Sequence, residues 1–377
     1  LGDVYKRQLY ETSKIDRLKK YDGEKLAILD YKDSLHENPF LVRQTLLEYT
    51  KVLGATNQQS ISRNMSEANY SDEKGIGFDN VFIDEAATSS PLDLFIPMTL
   101  AKSRLVLVGD HKQLPHIINE KITDEIEESL KRENKNIDGI QDEFKTTLFE
   151  YLIDKAHILE KKDGKKRVIT LNNQFRMHPE LGNLVSKYFY MDEGGLNSPR
   201  PASDFTHNYH NLKNQYLYWI DNKDKNKHSN GSRYNLNEAE LIAKHIKEAI
   251  EQGTYHYEPI AIITFYRAQV DKLKEACIKY GLYDAEGKPV DKLDLSIGTV
   301  DAFQGREFKV VYLATTYSIG ERDKNPFEKC RLNDNNLLCV ALSRQENLLI
   351  VVGNKDDYRH ENAKKYVPSL YLSLIHI

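Results

Sequence analysis

Short apolar runs alternate along the chain with longer stretches in which apolar residues return every three or four positions. The runs are Val81–Ile83, Leu105–Val108, Val168–Leu171, Tyr216–Ile220, Ile260–Ile263, Val310–Ala314 and Leu348–Val352. Each is too short for a helix and rich in β-branched or aromatic residues, so each predicts a strand. Three stretches read as helices. Asn38–Tyr49 has Pro39 near its start and apolar residues at Leu41, Val42, Leu46 and Leu47. Leu236–Ile250 carries Leu241, Ile242, Ile246 and Ile250. Arg267–Tyr280 carries Val270, Leu273 and Cys277. Strands alternating with helices predict parallel sheets built from βαβ units, and near-continuous apolar strands predict sheets covered on both faces.

Two polar stretches interrupt this pattern. Asn119–Gly164 is charge-rich and mainly helical in pattern, with an exposed middle near Lys131–Gly139. Asp221–Arg233 holds an Asn-Gly pair and several lysines and reads as a surface loop whose lysines are solvated. Prolines, glycines and asparagines between about Tyr190 and Asn214 mark a boundary, so the chain divides into two α/β units of comparable size. No repeat of solenoid period is present.

Composition bounds the function. The chain has 377 residues, 40% hydrophobic and 29% charged, enough apolar material for real cores. No apolar run reaches the roughly 18 residues of a membrane span, so no membrane partner is expected. A net charge of −4 excludes a globally basic coat for nucleic acid but not a local basic groove. Cys277, Cys330 and Cys339 lack paired spacing, which predicts a reducing compartment with neither disulfide nor zinc site; a cytoplasmic setting is expected from the lack of a signal or span.

Six segments carry candidate chemistry. In VFIDEAA, a strand delivers Asp84 and Glu85 at its carboxyl end; one carboxylate can hold Mg²⁺ through water and the next can orient an attacking water. The plainer reading is a helix N-terminus bearing favourable negative charge. In LVLVGDHKQLP, Gln113 follows Gly109 and Asp110, and its amide can both donate to a phosphate oxygen and accept. The Glu85-to-Gly109 spacing fits one crossover helix and one strand, placing both segments on neighbouring strands. In NNQFRMHPEL, Arg176 precedes Pro179, a helix start, and can reach a phosphate; Phe175 stacks on a base or fills core. In IGTVDAFQGREFKVVYLA, Gly305 allows a tight turn between two strands, Glu307 can accept from a ribose hydroxyl and Thr299 can bond a nucleic-acid phosphate; a hairpin-like loop is the plainer reading. In LLCVALSRQENLLIVVGN, Arg344 lies near a helix end, where it either reaches an anionic ligand or offsets the helix dipole. In IAIITFYRAQV, Thr264 and Arg267 mark a strand end and helix start, suited to phosphate binding or to simple capping.

In this order and spacing, these segments resemble superfamily 1 helicases, most of all the branch of RNA-decay helicases and replication-associated nuclease-helicases. The resemblance runs from about Lys51 to Asn354. KVLGATNQQS, with Thr56, looks like the segment that touches the nucleic-acid backbone. DEAA looks like motif II, GDHKQLP like motif III, QFRMHP like motif IV, TVDAFQGRE like motif V and VALSR like motif VI. TLFEYL, Thr147–Leu152, matches a segment usual between motifs III and IV. The resemblance implies two RecA-like parallel-sheet lobes: a first, N-terminally truncated lobe over 9–195 with a helical insertion, and a second over 196–365. ATP would lie between them with Mg²⁺ on Asp84, Glu85 would position water and Gln113 would sense the γ-phosphate. Arg176 and Arg344 would act as arginine fingers from the second domain. Phe175, where the family has a tyrosine, would stack on adenine, with Gly305 and Glu307 beside the nucleotide. Thr56, Thr264, Arg267 and Thr299 would contact single-stranded DNA or RNA.

The phosphate loop GxxxxGK[ST] is missing. Gly164–Lys165 and Gly287–Lys288 lack the following Ser or Thr and lie downstream of motif II. Residues 1–8 and the tail within 366–377, from about 371, look like translated adapter read-through. The expectation is therefore a fragment of an ATP-dependent helicase or translocase that by itself hydrolyses almost no ATP. The alternatives are a non-hydrolytic nucleic-acid-binding or scaffold descendant of a helicase, and an ATP-driven nuclease subunit.

Overall fold

In a computed structural model of the chain, the structure describes residues 23–38, 40, 46–47, 49–68, 77–115, 147–290, 292–320 and 324–374. Most of the helix expected over Asn38–Tyr49, the exposed segment Lys131–Gly139 and residues 1–8 lie outside them. The described residues fall into two compact units. One holds those up to Phe82 with Leu92–Val106; the other holds Ile83–Pro91 with those from Leu107 onward.

The first unit contains α1 (Gly23–Glu37), a 3₁₀ turn at Gln58–Ile61 and α2 (Arg63–Ala68). It also holds nearly all of β1 (Phe78–Ile83), α3 (Pro91–Met98) and β2 (Ala101–Leu107). Phe78 N bonds to Leu100 O and Val108 N to Ile83 O, each at 2.8 Å, so β1 and β2 run parallel with α3 as their crossover, as the spacing predicts. The expectation of strands covered on both faces fails here. In β2 the residues Lys102 to Leu105 are exposed, and among the described residues these two strands pair only with each other.

The second unit holds a 3₁₀ turn at Ala86–Thr88, α4 (Leu148–Asp163), capped by the Thr147 hydroxyl accepting from Glu150 N, and α5 (Pro179–Val185). Then come β3 (Leu217–Asp221), β4 (Lys227–Ser229), β5 (Ser232–Tyr234), α6 (Leu236–Glu251), β6 (Ile260–Thr264) and α7 (Arg267–Lys279). β7 (Leu295–Thr299), β8 (Phe308–Ala314), α8 (Asn335–Ala341) and β9 (Gln345–Gly353) follow, and three short helices, α9 (Lys355–Arg359), α10 (Glu361–Tyr366) and α11 (Pro368–Ser373), close it.

Five strands make one parallel sheet in the order β3-β9-β8-β6-β7. The period-2 rule sorts its side chains between two cores. Ile260, Ile262, Val310, Tyr312, Leu348 and Ile350 face α6 and α7, whose Ile242, Ile246, Leu273 and Cys277 complete that layer. Ala261, Ile263, Val311, Leu313, Leu349 and Val351 face the opposite layer, built from α8 together with Leu181 and Val185 of α5 and Leu370 of α11. Both faces are dry, which is why β8 and β9 read as unbroken apolar runs.

Three local expectations are corrected. Val168–Leu171 is not a strand. Ile169 and Leu171 are 71% and 78% exposed, and an apolar run without a neighbouring ladder has nothing to pair with. The Gly305 segment is not a hairpin loop, because β6 lies between β7 and β8 and all three are parallel. Asp221–Arg233 is not merely a loop. Lys227 pairs with Tyr234 and Ser229 with Ser232 in an antiparallel hairpin. Its turn, Asn230 (φ 48°) and Gly231 (φ 74°), has the two left-handed residues of a tight two-residue connection.

Candidate anion site at the amino edge of the sheet

Arg344 enters β9 directly after α8, and Glu307 enters β8 directly after the Gly305 turn (φ 73°), so both stand at the amino ends of central strands. Arg344 is 1% exposed. Its Nε donates to Val340 O at 3.1 Å, Nη1 to Arg306 O at 3.4 Å, and Nη2 to Ser343 Oγ at 2.8 Å and Gln113 Oε1 at 3.2 Å. All four acceptors are neutral. No carboxylate among the described residues forms an ion pair with it. Burial, reinforced by the like charge of Arg176, pulls the guanidinium down to about 10; Glu85 acts in the opposite sense. The helix-end reading holds in part: Nε donates to Val340 O in the last turn of α8, while Nη2 turns away from the helix to Gln113.

Arg176 lies beside it. Its Nη1 donates to Ser343 O at 3.0 Å and its Nε to Glu307 Oε2 at 3.1 Å. Motifs IV, V and VI thus meet at two guanidiniums. Phe175, next in chain, is 58% exposed with its carbonyl accepting from Arg200 Nη1 at 2.8 Å, so it is not core and its ring is open to stacking.

Motif III is locked into this edge. Asp110 Oδ2 accepts from Gln113 Nε2 at 2.8 Å and from the Tyr190 hydroxyl at 2.5 Å. That fixes the Gln113 amide with its oxygen toward Arg344. Tyr190 ends a π-helical turn, Ser186–Tyr190, and also lies 3.4 Å from Cys339 Sγ. Burial raises the Tyr190 phenol and pushes the Cys339 thiol up to about 12, so both stay neutral. Asn336 Nδ2 donates to Gln113 O at 2.6 Å and to His111 O at 3.2 Å, Gln304 Nε2 donates to Leu114 O at 3.3 Å, and Lys112 pairs with Asp192.

Motif II adjoins motif III through the backbone, with Ala86 N bonded to Val108 O at 2.8 Å. A Cβ on Gly109 would lie 2.9 Å from Ala87 N, so only glycine permits this approach. Asp84 and Glu85 are exposed. Asp84 Oδ1 accepts from Glu85 N at 2.9 Å, and Glu85 sits in the left-handed region at φ 52°, a strained conformation typical of functional positions.

The expected strand contacts are not gathered in the same way. Thr56 is exposed in the first unit, its hydroxyl accepting from Gln59 N at 3.3 Å. Thr264 and Thr299 are register partners at the carboxyl ends of β6 and β7, at the far edge of the sheet from Arg344. Thr299 is half-buried and Arg267 exposed, but Thr264 is fully buried, its hydroxyl 3.2 Å from that of Thr316. Behind it Glu238, buried and pushed up to about 8 by desolvation, accepts from Thr316 N, Thr316 Oγ1 and Gln269 Nε2.

Sequence reasoning missed Tyr190, Asn336 and Glu238. Tyr190 and Asn336 sit in no recognisable segment. Glu238 was legible only as the N3 partner of the Asn235 cap.

The fold and site define a parallel α/β protein with a buried and a half-buried guanidinium side by side at one sheet edge, suited to an anionic ligand. A family profile described as an AAA domain matches residues 144–356, and a second AAA domain profile matches residues 6–121. The chain belongs to this AAA-domain family and is a superfamily 1 helicase region. It is 26% identical over 292 residues to "Helicase sen1" of Schizosaccharomyces pombe, covering 76% of this chain and 15% of that protein. It is 26% identical over 342 residues to "Uncharacterized ATP-dependent helicase MJ0104" of Methanocaldococcus jannaschii, covering 86% of this chain and 42% of that protein. The chain thus spans less than half the length of these relatives. Among solved structures, "Complex structure of Arterivirus nonstructural protein 10 (helicase) with DNA" matches at a TM-score of 0.31 and 14% identity, covering 74% of this chain and 41% of that one; a likeness this slight carries no argument.

Proposed function

We propose that the chain is the motor region of an ATP-dependent helicase or translocase acting on single-stranded nucleic acid. The supporting observation is Arg344: a guanidinium held at 1% exposure with only neutral acceptors and a second guanidinium beside it. Burying a cation without an acid is costly, and a polyphosphate is the ligand that repays it. The donor set fits: two guanidiniums and an amide for phosphate oxygens, and the Asp84–Glu85 pair for Mg²⁺ and water.

In this reading Arg344 and Arg176 neutralise charge that develops on the transferred phosphoryl group, and Gln113, held by Asp110, reports its presence to motif VI. Arginine fingers of this kind change rates by orders of magnitude. Glu307 would release Arg176 and take the ribose, and Phe175 would stack on the base. Mg²⁺, carried by Asp84 through water, would supply charge neutralisation; Glu85 would orient the attacking water. Thr56, Arg267 and Thr299 would contact the strand's backbone. The three cysteines are free, in keeping with a cytoplasmic setting.

Because these 377 residues contain no GxxxxGK[ST] loop, the chain alone should hydrolyse almost no ATP. Hydrolysis by this polypeptide that Glu85→Gln abolishes would overturn that statement. Failure to hold any labelled single strand at low salt would overturn the helicase reading itself.

A further inference from the structure

The segment from Asp221 to Tyr234 leaves the edge strand β3 and runs past the carboxyl ends of β9 and β8 to the helix that follows β6. Asn222 N bonds to Gly353 O at the end of β9 at 3.0 Å. Lys225 Nζ donates to Ile319 O at 2.9 Å, and Asn226 exchanges bonds with Ser318 Oγ and Ser318 N, both at 2.9 Å, beyond the end of β8. The hairpin then reaches α7, where Ser232 Oγ accepts from Ala268 N at 3.2 Å, and the Arg233 guanidinium covers the Tyr317 ring at 5.2 Å. The strap ends on the Asn235 cap, whose Nδ2 donates back to Asp224 O at 2.9 Å.

This path explains why Thr264, Thr316, Gln269 and Glu238 are buried. A strand passing over this edge meets the strap before it meets Thr264. Its outer strand, Lys227–Ser229, is exposed throughout, while the inner strand, Ser232–Tyr234, is half-buried. The strap's cations differ. Lys223 is neutralised by Asp221 at 3.1 Å and Asp356 at 2.6 Å, and Lys225 lies 3.8 Å from Asp357. Lys227 has no ion pair among the described residues, and neither does Arg267 at the start of α7.

We propose that the Lys227–Tyr234 hairpin is a nucleic-acid contact element, its Lys227 ammonium binding a backbone phosphate of the strand that Arg267 and Thr299 also hold. The proposal rests on the strand-binding reading above and adds to it a contact that no motif includes. Phosphate is common to DNA and RNA, so the hairpin grips either by charge, and hydrogen bonding from His228 and Ser229 is not required for it.

The test is fluorescence anisotropy of this chain with labelled dT20 and U20 oligonucleotides across a salt series, using Lys227→Gln, Lys223→Gln and Arg267→Gln. Each lost phosphate contact lowers the log–log salt slope by about 0.7, equivalent to about fivefold weaker binding at 0.1 M salt. Lys227→Gln should show both effects and Lys223→Gln neither. The loss should be the same with both oligonucleotides; a loss confined to one would contradict a grip by phosphate charge. If the unaltered chain binds and Arg267→Gln weakens it while Lys227→Gln does not, the hairpin proposal is overturned alone. If the unaltered chain binds neither oligonucleotide, the strand-binding reading fails, and the hairpin proposal with it.

Discussion

Arg344 donates to the side-chain oxygen of Gln113 across 3.2 Å, so motif VI and motif III hold each other directly. The bond joins residues 231 positions apart, and it engages the two groups proposed to meet one phosphate. In this arrangement Gln113 Oε1 takes an Arg344 N–H that a phosphate oxygen could otherwise accept. The Gln113 oxygen is an acceptor and cannot itself bond an ionised phosphate, so an anion at this edge competes for the guanidinium donor and meets Gln113 only through its Nε2 hydrogens.

Arg344→Met should test whether the arginine serves the ligand or the fold. A buried charge without an acid partner contributes little to stability, and an apolar residue of similar volume is often neutral or better. The variant should unfold in urea within about 1 kcal/mol of the unaltered chain. Tripolyphosphate at ten times its dissociation constant should stabilise the unaltered chain by about 1.4 kcal/mol and the variant not at all. A loss of several kcal/mol without ligand would mark Arg344 as structural.

Tyr190→Phe removes the hydroxyl that Asp110 accepts. Asp110 keeps its bond from Gln113 but loses a buried donor, a change of about 1.5–3 kcal/mol for a bond to a charged group. Lys112→Ala breaks an ion pair whose carboxylate is 64% exposed, and should cost under about 1 kcal/mol. Hydrogen exchange over residues 109–115 should rise in the Phe variant and change little in the Ala variant. Equal effects would show that the motif III loop is not held through Tyr190.

Gly109→Ala forces a methyl to within 2.9 Å of the Ala87 amide and 3.2 Å of the Phe149 ring. The motif II and motif III loops must part. Overpacking of this kind costs about 1–3 kcal/mol, readable as a lowered midpoint in thermal unfolding. An unchanged midpoint would mean that the two loops do not meet closely in solution.

Glu238 gives a pH signature. Burial raises its carboxyl from 4.5 to about 8 in the folded chain, so the fold binds a proton that the unfolded chain releases. Its contribution is full below pH 4.5 and is lost as pH rises to about 8. His245 runs the other way: burial depresses it to about 3, so its contribution is present above pH 6.5 and lost on acidification. The difference between Glu238→Gln and the unaltered chain isolates the carboxylate. The variant should gain on the unaltered chain steadily from pH 5 to pH 8. A constant difference across that range would contradict the buried, protonated carboxyl.

Much of this was legible before any coordinates. β8 and β9 are so uniformly apolar that only a strand buried on both faces fits them, and the motifs named Gln113, Arg176, Glu307 and Arg344, which meet at one edge. Val168–Leu171 misled because apolar content records a tendency to pair and not the presence of a partner. The Asp221–Arg233 strap misled in the opposite sense. Its polar composition says surface, but its bonds to Gly353, Ser318 and Ala268 are made largely by backbone and short side chains that no periodicity marks. Thr264 shows the consequence: a residue placed correctly at a strand end was covered by a segment more than thirty positions earlier. Tyr190 was invisible because its role depends on a π-turn that aims it at Asp110.

The most direct test of the account is nucleic-acid-stimulated ATP hydrolysis by the complete open reading frame at this locus, read upstream of the codons for Val81–Pro115. The account expects a strand followed by a GK[ST] loop upstream, hydrolysis that rises when single strands are added, and its loss in Glu85→Gln. A complete frame that carries the loop yet hydrolyses no ATP with or without nucleic acid would contradict it.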